Sequence, residues 1–181
     1  MALIILAHPK FDQSVANKTI IEELKNSDLD IEIRNLAELY PNYKIDVKAE
    51  QEVLLRHQNI VFQYPFYWYN MPAILKHWFD EIFIYQFAYG SQGDKLKGKN
   101  FVTSITVGGK ENDYQTSGNH RFNIDNFSKN LAQTAYLAQM NFIEPLYCYG
   151  TSPTSGNTKE EVTARAKEFS EKLISKLKSM G

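Results

Sequence analysis

One cysteine, Cys148, stands in the 181 residues, so an internal disulfide is impossible and no Cys/His metal spacing exists. Neither sign of charge prevails: 20 basic residues face 21 acidic ones, a net charge of −1. No basic stripe stands out, which argues against a nucleic-acid binder. No apolar run approaches a membrane span, and the opening Met1-Ala2-Leu3-Ile4-Ile5-Leu6 lacks the basic stretch and cleavage site of a secretory signal. The expectation is a soluble, cytoplasmic protein. The glycine fingerprints G-x-G-x-x-G and G-x-x-x-x-G-K-[ST] are missing as well. Repeats, low-complexity tracts and interdomain linkers are also lacking, so residues 1–181 read as one domain.

What the chain has in abundance is aromatic: 11 Tyr, 11 Phe and 2 Trp. Such residues fill a rich core, or they hold flat ligands and partner subunits. Hydrophobic residues make up 43% and charged residues 23%, an ordinary globular balance. Cys148, inside the apolar run Leu146-Tyr147-Cys148-Tyr149, is expected to be a buried structural thiol.

Ala2 to Ala7 is a short continuous apolar run, the pattern of a strand covered on both faces. A helix is expected from about Ser14 to Asn26, and a more exposed strand over Ile31 to Leu36. Asn59 to Tyr64 is the third strand, ended by Pro65. Asn70-Met71-Pro72 reads as a helix start, with Asn70 as cap and Pro72 in the first turn. Phe101 to Val107 is the fourth strand. A helix capped by Asp125 is expected to run through Gln139, followed by a strand from Phe142 to Tyr149 and a long amphipathic helix from Thr158 to Lys178. His57 and His77 lie on expected helices and read as ordinary helical residues. Strands alternating with helices predict an α/β fold, a parallel sheet wrapped on both faces. Five strands in this length match the flavodoxin-like order 2-1-3-4-5.

In such a sheet, ligands bind beyond the carboxyl ends of the strands, where the strand order reverses. Three loops of unusual composition fall there. The first, His8 to Asn17, opens a helix whose free N–H groups favour an anion, with Ser14 and Asn17 as side-chain donors and His8 as a charge-assisted one. By itself this loop reads equally well as a capped helix start. The second, Pro65-Phe66-Tyr67-Trp68-Tyr69-Asn70, carries four consecutive aromatics, which neither a strand nor a helix period buries on one face. Some of them line a cavity, meet a partner or stay exposed. The third runs through Thr106-Val107-Gly108-Gly109 to Tyr114 and His120. Its paired glycines permit close approach of a flat ring, and Tyr114 and His120 offer proton donors.

At these loops the sequence resembles the NAD(P)H:quinone oxidoreductase family, a flavodoxin-like group that includes the ancillary subunits of glutathione-gated potassium-efflux systems. The resemblance covers nearly the whole chain. It is strongest in His8-Pro9, Ser14-Val15-Ala16-Asn17, Gln63 to Lys76, Trp78-Phe79-Asp80, Phe87-Ala88-Tyr89-Gly90, Thr106-Val107-Gly108-Gly109, Tyr114 and His120. It implies a homodimer with noncovalently bound FMN or FAD and an active site at the dimer interface. On that analogy His8, Ser14, Val15 and Asn17 approach the flavin phosphate and ribityl chain. Pro65 to Tyr69 and Thr106 to Gly109 hold the isoalloxazine, and Tyr114 and His120 handle charge on the reduced ring. The chain is closer in size to the short bacterial members, so FMN is expected over FAD. NAD(P)H as donor and a quinone-like acceptor, in a two-electron ping-pong cycle, are the expected chemistry. A regulatory subunit of a membrane transporter is the alternative.

Overall fold

A computed structural model describes residues 1–152 and 155–181. Its sheet begins with β1 (Ala2–Leu6), flanked by β2 (Ile31–Asn35) on one side and β3 (Asn59–Pro65) on the other. β4 (Asn100–Thr106) pairs with β3, and β5 (Asn141–Phe142) and β6 (Leu146–Cys148) both pair with β4. Every pairing is parallel, and the order is β2-β1-β3-β4-β5, with β6 continuing the fifth position. The strand expected over Phe142 to Tyr149 is therefore interrupted. Ile143 still donates to the Phe101 carbonyl at 3.0 Å, but Pro145 has no N–H to give the ladder.

Helices cover both faces, and β1 shows why. All five of its residues are buried, and they alternate between two apolar layers. Leu3 and Ile5 pack in one layer with α3 (Val47–Arg56), α4 (Ala73–Ile82) and α5 (Lys129–Leu137). Ala2, Ile4 and Leu6 pack in the other with α1 (Val15–Asn26) and α6 (Lys159–Ser179). A single turn, α2 (Leu36–Leu39), follows β2 directly.

Helix starts follow capping chemistry where the sequence offers it. Ser14 caps α1 by accepting from Asn17 N–H, and Thr158 closes a capping box with Glu161 at the start of α6. Two expected caps differ. α4 starts at Ala73 with Pro72 as the residue before it, and the Asn70 side chain accepts instead from Met71 N–H at 2.8 Å. Asp125 accepts from the Tyr147 hydroxyl at 3.1 Å and lies in a 3-10 turn, Ile124–Ser128, that precedes α5. His57 ends α3 rather than lying within it; His77 is on α4.

α3, capped by Asp46 accepting from Ala49 N–H at 3.0 Å, carries the buried Glu50. That carboxylate accepts from the Tyr40 hydroxyl at 2.6 Å, Trp78 Nε1 at 2.9 Å and the Arg34 guanidinium. A buried charge is tolerated when paired and fully hydrogen-bonded, and these contacts tie β2, α3 and α4 together. Burial and the neighbouring carboxylate push the Tyr40 phenol up to about 12.

Candidate functional site

The loops after β1, β3 and β4 meet at the carboxyl edge of the sheet around a cavity of about 520 Å³. His8, Ser14, Val15, Asn17, Pro65, Phe66, Tyr67, Thr106 and Gly108 line it. That volume is within the ordinary range for a small-molecule or cofactor site. Trp68, Tyr69, Val107, Gly109, Tyr114 and His120 stand outside this cavity. Val107 is fully buried in the core, and its N–H is spent on the Cys148 carbonyl.

One end of the cavity has donor chemistry that could receive an anion. It lies at the start of α1, where first-turn N–H groups have no carbonyl one turn back. The Ser14 oxygen accepts from the backbone N–H of Asn17 at 3.2 Å and from Asn17 Nδ2 at 3.0 Å, so its own proton is free to point outward. Asn17 is only 1% exposed and its side-chain groups are engaged within the protein, so it orients donors rather than offering one. His8 also departs from the expected charge-assisted donor. Burial lowers its pKa, and its Nδ1 accepts from Lys10 N–H at 3.1 Å, so a neutral imidazole carries its proton on Nε2.

The aromatic loop is sorted by its backbone. Tyr67 and Asn70 exchange N–H···O bonds of 2.9 and 3.0 Å, closing a two-residue turn. The central residues Trp68 and Tyr69 have φ of 48° and 63°, the left-handed region that such tight hairpin turns require. Asn-Gly is the usual occupant, and holding two bulky residues there costs roughly 1–2 kcal/mol each. The turn leaves Phe66 and Tyr67 on the cavity, thrusts Trp68 out to 93% exposure, and sets the Tyr69 hydroxyl 3.3 Å from His120 Nδ1.

Tyr114 and His120 come together as one unit beside the double glycine. A β-carbon placed on Gly109 would lie 3.2 Å from Tyr114 Cε2 and 3.4 Å from His120 Nε2. Tyr114 is mostly buried, and desolvation, followed by the nearby Tyr69 and Asp113, raises its pKa. It is therefore a protonated donor throughout the neutral range.

Beyond the three loops expected from the sequence, the structure adds a fourth. Thr151 and Ser152, after β6, and Thr158, Lys159 and Val162, at the start of α6, complete the cavity wall, with Lys10 and Gln13 at the first loop. Backbone bonds stitch this loop to the double glycine: Gly150 N–H to the Gly109 carbonyl at 2.9 Å and Thr151 N–H to the Val107 carbonyl at 3.0 Å. Arg165 on α6 braces it from behind, donating to the Gly150 carbonyl at 2.9 Å. The available signal was positional, since the fifth strand ends at the same sheet edge as the others. Cys148, just before this loop, is buried, and burial raises its thiol pKa to about 12. No metal-binding group of His, Cys, Asp and Glu occurs among the described residues. No described helix is long and apolar enough to cross a membrane.

The parallel, doubly wound sheet in the order β2-β1-β3-β4-β5 is the arrangement of the flavodoxin-like class. The chain belongs to that family, whose model, described as "Flavodoxin-like fold", matches residues 1–173. It is 40% identical over 177 residues to a Bacillus subtilis (strain 168) protein named uncharacterized NAD(P)H oxidoreductase YrkL, covering 98% of this chain and 97% of that one. It is 36% identical over 174 residues to the glutathione-regulated potassium-efflux system ancillary protein KefF of Enterobacter sp. (strain 638), covering 96% of each. Among solved structures, the general stress protein 14 of Treponema denticola in complex with FMN superposes with a TM-score of 0.86 at 30% identity, covering 96% of this chain and 98% of that one.

Proposed function

We propose that the protein is a cytoplasmic, FMN-dependent NAD(P)H oxidoreductase that passes two electrons to a quinone-like acceptor in a ping-pong cycle. The observation that carries this reading is the pairing of two chemistries in one cavity. The α1 start presents hydroxyl and N–H donors that suit a phosphate, while Phe66, Tyr67 and the Gly108 backbone form a wall that suits a flat ring. Gly108 is closely packed, since an added β-carbon would lie 3.0 Å from Ser152 Cβ. A phosphate at α1 suffices for FMN, so FMN is preferred over FAD. The relatives named for NAD(P)H oxidoreduction and the FMN-bound fold neighbour support the same reading.

A bound flavin supplies the capacity to accept and release electron pairs. The residues of this chain supply the rest. Ser14 and the first turn of α1 hold the phosphate, and Tyr67 and Phe66 orient the ring. The Tyr114 hydroxyl and His120 Nε2, beside Gly109, would donate to the negative charge that develops on reduction, and such contacts accelerate a reaction because they strengthen along it. The test is direct. The purified protein is expected to be yellow, to release FMN on denaturation, and to oxidise NAD(P)H with a benzoquinone or naphthoquinone. A colourless protein that takes up neither FMN nor FAD on reconstitution refutes the proposal.

A second reading follows from the likeness to the potassium-efflux ancillary protein: a flavoprotein subunit that binds a membrane transporter. Pull-down from membranes, with a transport protein recovered, is the observation that favours it.

A further inference from the structure

Gln63 lies at the centre of the sheet, on β3, with no exposed surface. Its Nε2 donates to Asn17 Oδ1 at 2.8 Å. Asn17 in turn spends its two amide protons on Ser14 Oγ at 3.0 Å and Thr106 Oγ1 at 2.9 Å. Ser14, Asn17 and Thr106 all line the cavity, and the shared Asn17 amide sets the Thr106 hydroxyl, expected at the ring, beside Ser14 at the start of α1. The contacts form a relay in which each group's role depends on the one before. With a donor at position 63, the Asn17 oxygen faces inward and its amide protons face the two hydroxyls. Both hydroxyls then accept from Asn17 and keep their own protons for the cavity.

The opposite orientation has a different consequence. If the Asn17 amide turned over, its oxygen would take the protons of Ser14 and Thr106, and those hydroxyls would show lone pairs to whatever binds. An anion would be repelled by the same residues that now suit it. A donor from behind favours the present orientation of the amide, and Gln63 Nε2 supplies one.

We propose that Gln63 is a positioning residue that fixes the hydrogen-bond polarity of the anion pocket and thereby sets its preference for a phosphorylated ligand. The proposal rests on the flavin reading above and names the residue behind its phosphate selectivity. Gln63 Oε1 has no hydrogen-bond partner among the described residues. A buried carbonyl without a partner costs stability, so the side chain's contribution lies at its other end, the donor to Asn17.

The test compares FMN with riboflavin, which lacks only the phosphate, by fluorescence titration of the flavin-free protein. Wild type is expected to bind FMN more tightly. Gln63→Met keeps the length of the side chain and removes the donor together with the orphan oxygen. It is expected to weaken FMN by about tenfold, the scale of one hydrogen bond to a charged group, while riboflavin affinity stays within about twofold. Thr106→Val, isosteric in its strand, checks the output end and is expected to show the same selective loss. In a double-mutant cycle the two losses are expected to be less than additive, because Gln63 acts through Thr106 and Ser14. Equal weakening of both flavins marks a merely structural role and overturns the proposal, as does an unchanged preference in Thr106→Val. A wild type that takes up neither flavin overturns the flavin reading and this proposal together.

Discussion

The rings of Tyr114 and His120 stack at a centroid separation of 4.2 Å with their planes 16° apart, and the Tyr69 hydroxyl reaches His120 Nδ1 from the neighbouring loop. Five residues of chain lie between the pair, and a backbone bond from His120 N–H to the Asp113 carbonyl at 3.0 Å folds that loop back on itself. Donors so placed are poised rather than engaged, since neither the Tyr114 hydroxyl nor His120 Nε2 carries a hydrogen bond among the described residues. Tyr114→Phe and His120→Ala are each expected to raise the barrier to flavin reduction by roughly 1–3 kcal/mol while flavin stays bound. Stopped-flow measurement of the reductive half-reaction checks this; unchanged rates with full flavin content would assign both residues to loop closure.

The same stack predicts the effect of bulk at the double glycine. Gly109 has no left-handed backbone demand, so Gly109→Ala tests space alone. Its methyl would press on Tyr114 Cε2 at 3.2 Å and His120 Nε2 at 3.4 Å. Reduction is expected to slow by about tenfold with little change in melting temperature. Equal kinetics in the variant would show that the stack gives way without consequence.

Subunit assembly follows from what the fold leaves uncovered. Trp68 at 93% exposure, Tyr85 at 61% and the half-exposed Tyr69, Ile84 and Tyr89 offer an apolar surface that a small monomer rarely shows. A homodimer is expected, and light scattering at micromolar concentration should report twice the mass of one chain. An active monomer would contradict it.

Glu50 is expected to be the most costly charged position to truncate. Glu50→Ala strands the Trp78 N–H and the Tyr40 hydroxyl in the core and unpairs Arg34. A loss of about 3 kcal/mol is expected from urea unfolding. A loss below 1 kcal/mol would mean that the network is dispensable.

Alkaline pH should destabilise the fold early. Burial raises the pKa values of Tyr64, Tyr147, Tyr149, Tyr114 and Cys148 above their ordinary values of 10 for Tyr and 9 for Cys. The folded chain thus holds protons that the unfolded chain releases, so stability falls as pH rises. It is intact below about pH 9 and declines through pH 12. Roughly 2–4 kcal/mol should be lost between pH 9 and 11, chiefly from Cys148 and Tyr64. Melting temperatures across that range provide the check, and Cys148→Ala should remove the earliest part of the decline.

Local chemistry explains which parts were readable from the chain. The strand cores of β1, β3 and β4 and the capped helices α1 and α6 announce themselves through apolar runs and through Ser14 and Thr158. Alternating strands and helices admit one economical topology, and that topology brings His8, Phe66 and Gly108 to one edge before any coordinate is known. These features depend on neighbours within a few residues, so the amino-acid sequence determined them by itself.

Other outcomes depended on partners distant in sequence. Asn17 looked like a ligand donor, but Gln63 and Thr106, 46 and 89 residues away, consume its amide. His8 looked able to carry charge, but burial lowers its pKa and the Lys10 N–H occupies its Nδ1. Four aromatics in a row were sorted into cavity wall, exposed tip and histidine partner only by a left-handed turn that their identities disfavour. The fourth wall of the site came from Thr151, Ser152 and α6, joined to the double glycine by backbone bonds that no side-chain pattern records. Hydrogen-bond polarity and burial are properties of assembled neighbours, and only the tertiary structure decided them.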